Sequence, residues 1–547
     1  MKLLQRLCLV LLLVSGMALA QTAATPPDSS NIVNQIQQLQ QAMAEQQKEM
    51  AAQQKKIAEQ QQQLEQLQQQ LAAQLQPVAA SGEQTPHLVN AVLTPAGRPA
   101  AAPQEKPKES PLSFRIGGAE FTPGGYMDFA TFFRSTNTGN TGGTSFNAIP
   151  FSNTIGGHLT ETRLSAQRSL VSLKVTDKFG KNDVTGYMEM DFLGNDAANV
   201  EVSANSHTFR QRLYFLDLKR DKWEFLGGQA WSMLTPNRRG LSPMPADVFI
   251  TMNEDFNYQV GLTWTRAPQF RAVYHPNDNW AIGFAMENPQ QYVGAGEVIF
   301  PFAFNAQLGP QFDAANNAGT PNAYPDFIVK TAYDTDVNGK HFHAEVGGLA
   351  TSVKITDLAS GNFVHHVKMG GGVEAALNLE VVKNFRFVAN AFYGNGGGRY
   401  MFGMAPGAVI YPNAAGTDVG ISLVHSGAGL AGFEYQATPK TLITGYYGGW
   451  YAQRNSFPDW TSGVVGPCSG KPCVGFGGLN SPNSSNKSIQ EATLGWTQTF
   501  WKNPQYGTLM FVTQGSYLSR SPWFVAAGAP KNAHLFMAWT SLRYVLP

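Results

Sequence analysis

Residues 533–545 read AHLFMAWTSLRYV, and their alternation decides the fold. Phe536, Ala538, Thr540, Leu542 and Tyr544 share one face of an extended strand, with Ser541 and Arg543 on the other. Side chains on a strand point to its two faces in turn, so one face here is mainly apolar and the other carries polar groups. Short segments of this kind run from Phe114 to the last residue, joined alternately by a tight connection and a long Gly/Asn/Pro-rich one. No apolar run among them is long enough to cross a membrane as a helix. In lipid a sheet must satisfy every backbone N–H and C=O, which it does by closing into a barrel. A large soluble β protein gives a similar alternation, and composition separates the two.

Hydrophobic residues make up 43% of the 547, charged residues only 14% and aromatics 11%, with 55 glycines. That balance suits strands facing lipid on one side, whereas a soluble sandwich is normally more charged. Residues 1–20 have a basic start (Lys2, Arg6), an apolar core and Ala18-Leu19-Ala20, the pattern of a cleavable signal peptide. The formal charge of +1 becomes −1 once Lys2 and Arg6 are removed with it, so nothing global points to nucleic acid. The remaining cysteines, Cys468 and Cys473, lie in the loop CSGKPC. In an exported chain such a close pair reads as a disulfide pinning the loop.

Within residues 21–76, Ile36, Met43, Met50, Ile57, Leu64 and Leu71 recur every seven positions, and Gln46, Gln53, Gln60 and Gln74 fill other seam positions. The register predicts a coiled coil through which chains associate, extending about 70 Å at 1.5 Å per residue. Pro77 ends it, and residues 77–112 form a Pro/Ala-rich linker before the barrel domain, 113–547.

Sixteen strand-like segments begin near 124, 160, 183, 207, 222, 257, 279, 326, 340, 364, 384, 429, 441, 488, 506 and 533. Keeping 257–275 whole despite Pro268 preserves the order of seven short turns and eight longer segments, among them 355–363. Short turns on one side, long loops on the other and an even count describe a bacterial outer-membrane barrel wide enough for a water-filled channel. The expected fold is therefore an all-β transmembrane barrel preceded by an α-helical coiled coil.

Several phrases resemble the DcaP-like family of trimeric outer-membrane porins: TRLSAQRSLVSLKV (162–175), GYMEMDFLG (186–194), RQRLYFLDL (210–218) and FLGGQAWSMLTP (225–236). The resemblance covers most of the chain in order. It implies a signal peptide, a periplasmic coiled coil and a sixteen-stranded barrel assembled as a homotrimer in outer-membrane lipid. It also implies passive uptake of small, mostly anionic organic solutes such as dicarboxylates. One departure is the terminus Tyr544-Val545-Leu546-Pro547, since such barrels usually close on a terminal aromatic.

The arginines support anion selection on their own account. Arg168, Arg210, Arg212 and Arg271 fall in strands, and Arg238 with Arg239 in the loop from Leu234 to Asn253, the best candidate to fold inward. Arg210, Arg212 and Tyr214 alternate with Phe209, Leu213 and Phe215, which puts both arginines in the lumen if lipid meets the Phe face. Arg271 shares a polar face with Gln259, Thr263, Thr265 and Gln269. Fixed guanidinium groups in a narrow passage concentrate anions and engage carboxylates through paired hydrogen bonds. Glu189 and Asp191 alternate with Met188, Met190 and Phe192, and read as an acidic strip opposite the arginines, as ordinary lumen polarity, or as groups the arginines pair with across the barrel. Arg163 and Arg168 are an odd number apart, so either a bulge intervenes or Arg163 lies at the external rim.

Trp223, Tyr258, Trp264, Tyr274, Trp280, Tyr446, Trp450, Trp496, Trp501, Trp523 and Trp539 read as aromatic belts at the lipid interfaces. Adjacent His365 and His366 point to opposite faces, poor geometry for a metal. No nucleophile, phosphate loop or carboxylate pair singles itself out, so the reading is of a non-enzyme with no metal or cofactor. The alternative is an outer-membrane adhesin or cell-wall tether in which the barrel only anchors. In either reading the periplasmic helix is placed to reach peptidoglycan or periplasmic proteins.

Overall fold

The computed structural model describes residues 110–139, 142–194, 208–294, 296–313, 320–359, 361–402 and 404–547. The signal peptide, the heptad segment and the linker as far as residue 109 lie outside them.

One antiparallel sheet closes on itself. Its strands are β1 (Ala119–Arg134), β2 (Glu161–Ser165 continued by Leu170–Phe179), β3 (Asn182–Asp191), β4 (Arg210–Arg220) and β5 (Trp223–Trp231). There follow β6 (Arg266–Asn277), β7 (Trp280–Glu287), β8 (Asp326–Val337), β9 (Lys340–Ala359), β10 (Asn362–Val382) and β11 (Phe385–Asn395). The circuit ends with β12 (His425–Thr438), β13 (Thr441–Ala452), β14 (Asn486–Asn503), β15 (Gly507–Pro522) and β16 (Ala533–Val545). Of eighteen strand segments in the sheet, two are halves of β2 and one, Phe114–Ile116, is a short arm on β1, which leaves sixteen strands. Each pairs with its successor, and β16 returns to β1 from Tyr126↔Val545 to Arg134↔Met537. No edge is left to expose unpaired backbone.

The final strand shows how sequence sets the two faces. Phe536 and Leu542 are half exposed on the outer surface, while Leu535, Met537 and Trp539 are buried inside. An outward apolar residue is at home in hydrocarbon. An inward one needs something to pack against, and inward-folded loops supply it. Their Phe146, Ile149, Phe256 and Met401 join Met537 and Trp539 in one apolar cluster. Each such side chain removed from water contributes roughly 1.5–3 kcal/mol.

Two expected boundaries move. The segment at 257–275 is not one strand: β6 begins only at Arg266, and the residues before it run through the lumen. The long loop expected over 355–363 is instead a tight turn between two long strands, paired through to Ala359↔Asn362. At 20 and 21 residues these exceed the roughly 9–11 needed to span a bilayer, so their outer parts project beyond it. β-branched and polar alternation continues through this stretch, and a turn of so few residues left no Gly/Pro-rich gap to announce it.

The aromatic residues divide. Trp223, Trp280 and Trp496 are exposed on the outside, and Trp501 is exposed at the short-turn mouth of the barrel. Trp223 pairs with Tyr274 (4.8 Å between ring centres) and Trp501 with Tyr544 (6.0 Å), near the short-turn rim. Tyr258, Trp264, Tyr446, Trp450 and Trp539 are buried within, against the inward loops, and do not belong to a belt. Cys468 and Cys473 are joined in a disulfide, with Cα atoms 5.2 Å apart.

Candidate functional site

Past Trp231 the chain leaves the wall and crosses the lumen until Arg266 rejoins it. Its backbone is held by wall side chains from many strands. The amide of Met233 donates to Glu287 on β7 (2.7 Å), Lys330 on β8 donates to Thr235 O (3.1 Å), and Asn237 N donates to Glu345 on β9 (3.0 Å). Val260 N donates to Glu491 on β14 (2.8 Å), and Asn390 on β11 donates to the Thr263 hydroxyl (2.8 Å). Orphan amides on a non-strand segment inside a barrel need such acceptors. Glycines let the backbone come close: Gly261 has φ +96° and faces Gly429, while Gly448 sits against the carbonyl of Val260. A Cβ at either position would overlap those backbone atoms.

Between this segment and the short-turn mouth lies a cavity of about 1280 Å³. Of the residues singled out from sequence, Arg168, Arg212, Arg238, Glu189 and Asp191 line it. Arg210, Arg239 and Arg271 do not.

The carboxylates are not on the wall facing the arginines. Asp191 on β3 is gripped by its neighbour on β4, Arg210, through contacts of 3.0 and 2.7 Å. Arg212 reaches Glu189 (2.5 Å), Asp191 (2.9 Å) and the Tyr258 hydroxyl (3.0 Å). Both arginines lie on the inner side, but strict alternation does not put them there. The β3–β4 register shifts between Glu189 and Met190, so that Arg212 is an extra residue. Beyond this bulge the phase reverses: Leu213 and Phe215 point in and Tyr214 points out. A break between the halves of β2 likewise puts both Arg163, bonded to Glu161 at 2.9 Å, and Arg168 on the inner side.

Arg168 and Arg543 converge on Glu254 of the crossing segment, at 2.8 and 2.9 Å, and Arg543 also holds Asp128 (2.6 Å). Arg238 donates twice to Glu434 on β12. Burial alone would lower the Arg238 pKa, but the Glu434 carboxylate more than offsets it and keeps the guanidinium charged. Arg239, exposed and 4.0 Å from Asp336, lines a separate cavity of about 320 Å³ with Lys174, Lys219 and Glu224. Arg271 is sealed under Leu241, donating to Trp231 O (2.8 Å), Leu241 O (3.2 Å) and Gln269 (3.1 Å), and so belongs to the wall.

Several lining residues escaped the sequence reading: Glu254, Arg386, Glu434, Arg543 and, at the mouth, Lys340, Lys383, Lys440 and Lys502. The lysines stand at or beside the short turns, which the sequence does mark, so their ring was within reach. In all, nine basic and five acidic side chains line the cavity, an excess of four positive charges.

The outer-membrane channel DcaP of Acinetobacter baumannii matches this fold with a TM-score of 0.54 and 16% identity, over 78% of this chain and 97% of that one. The anion-selective porin from Comamonas acidovorans matches over 78% of this chain and 99% of its own, at 8% identity and a TM-score of 0.43. OprB of Pseudomonas putida matches over 77% and 94%, at 13% and 0.42. No protein-family model and no curated protein sequence matches the chain. In fold, the chain is similar to the outer-membrane channel DcaP.

Proposed function

We propose that this chain is an outer-membrane porin through which small hydrophilic solutes diffuse passively, with a preference for organic anions such as dicarboxylates. The observation that carries this reading is the net positive lining of the cavity, nine basic side chains against five acidic ones. Most guanidinium groups there are committed to carboxylates, so the selecting field comes from their sum and from the mouth lysines more than from any one free arginine. In a confined, poorly screened passage that sum raises the local anion concentration. No catalytic step enters the reading. Likeness in fold to trimeric porins supports a homotrimer embedded in outer-membrane lipid, and the heptad of residues 21–76 supports association through a periplasmic coiled coil.

Planar bilayers with a KCl gradient test it: the reversal potential should show chloride carrying more current than potassium, and liposomes should swell faster in small dicarboxylates than in neutral sugars of the same size. Cation preference would overturn the anion reading, and absence of conductance would overturn the pore. The projecting part of β9 and β10 is the feature that favours the anchoring alternative, which predicts no swelling at all. Deleting residues 21–112 tests the coiled coil, since an unchanged trimer would leave it a spacer or a contact to peptidoglycan.

A further inference from the structure

The strand pair that outgrows its neighbours carries a second cluster of chemistry. β8 stops pairing at Phe327↔Ala350 and β11 at Gly371↔Asn395, yet β9 and β10 stay paired to Ala359↔Asn362. A hairpin from the loop after β11, made of Ala408–Pro412 and Val419–Leu423, packs on this extension, with Ile410, Val419 and Ile421 against Val353 and Ile355.

Three side chains meet there. Asp357 is paired with Val364, two residues before His366, so Asp357 and His366 share a face of the sheet. Asp418 comes from the hairpin. His366 Nε2 lies 3.2 Å from Asp357 Oδ1 and 3.1 Å from Asp418 Oδ1. All three potential ligand atoms lie within 4.8 Å of one another. His365, on the opposite face, bonds to Thr356 instead.

Hydrogen bonding leaves this cluster incomplete. One imidazole N–H cannot serve two carboxylates well, and Asp357 is only 1% exposed, with an Oδ2 that has no hydrogen-bond partner among the described residues. A buried carboxylate in that position is costly without a cation. The two separations from His366, 3.2 and 3.1 Å, are close to what one requires, since a tetrahedral ion with bonds of 2.0–2.1 Å holds its ligand atoms about 3.3–3.4 Å apart. Two carboxylates with a neutral imidazole cancel a charge of two. The imidazole favours zinc or a similar first-row ion over calcium or magnesium. The side chains of His366 and Asp418 are 23% and 37% exposed, which leaves a side open for water.

We propose that Asp357, His366 and Asp418 bind a divalent transition-metal ion that clamps the 408–423 hairpin to the projecting strands. The test titrates Zn²⁺ into the metal-stripped, full-length protein in detergent by calorimetry, with folding of each variant checked by heat-dependent gel mobility. One ion should bind per chain. Affinity should fall at least tenfold in His366→Ala and in Asp418→Asn and stay unchanged in His365→Ala. In the unaltered protein, Co²⁺ should give the visible spectrum of a nitrogen-and-oxygen site, and Zn²⁺ should slow proteolysis within 408–423. Absence of Zn²⁺ binding, equal binding by His366→Ala, or equally tight Ca²⁺ binding would overturn the proposal.

Discussion

Arg238, on the segment that crosses the lumen, holds Glu434 on β12 through two hydrogen bonds of 2.8 Å each. Tyr446 adds a third bond to the same carboxylate at 3.0 Å, and Arg386 stands 3.7 Å away. A guanidinium that lines the cavity is thus also a strut. Removing it leaves a buried carboxylate with one distant cation, a defect costing about 3–5 kcal/mol. Arg238→Ala should free that end of the segment and give larger, noisier single-channel currents, with Glu434→Gln milder. Currents unchanged in both would show that the other anchors suffice.

Glu254 is shared by Arg168 and Arg543. Glu254→Gln keeps the shape but removes one negative charge from the lumen and leaves two guanidinium groups less neutralised, with Arg543 still held by Asp128. The KCl reversal potential should move toward chloride, while a loss of about 1–3 kcal/mol in hydrogen bonding loosens the segment. A shift toward potassium would contradict the assignment of these arginines to the passage.

Lys340, Lys383, Lys440 and Lys502 line the mouth without deep burial. Exposed charges act over a Debye length of about 10 Å at 0.1 M salt and about 3 Å at 1 M. Changing all four to Glu should reduce or invert chloride preference at 0.1 M salt, with far less effect at 1 M. Equal effects at both concentrations would place the selecting charges deeper inside.

Glu297, in the loop after β7, is buried, and that burial pushes its pKa up to about 8 from an ordinary 4.5, despite a 2.9 Å bond from Asn147. The folded state therefore holds a proton that the unfolded state releases above about pH 4.5. Its contribution to stability is complete below that value and declines as pH rises through about 8. Hydrogen exchange around 296–299 and 484–486, corrected for intrinsic rates, should be faster at pH 8 than at pH 5. Glu297→Gln should flatten this dependence.

The barrel itself was legible because lipid imposes a period of two. The faces of residues 533–545, the sixteen strands and the close cysteine pair all follow from local pattern. Alternation misled where a local event changed its phase, as at Arg212, where one extra residue turned Leu213 and Phe215 inward. It also misled at 257–265, where an alternating stretch is spent crossing the lumen. His366 shows the same limit, since strand geometry separates it correctly from His365 but says nothing of Asp418, 52 residues on.

Sequence by itself determined that the chain closes a sheet into a barrel, because in lipid every backbone group must be satisfied and only one arrangement of short alternating strands does so. Tertiary structure alone decided which charges face the passage and which are neutralised. Those pairings join residues as distant as Arg543 and Asp128, 415 positions apart, and no local periodicity records a contact made across a hollow interior.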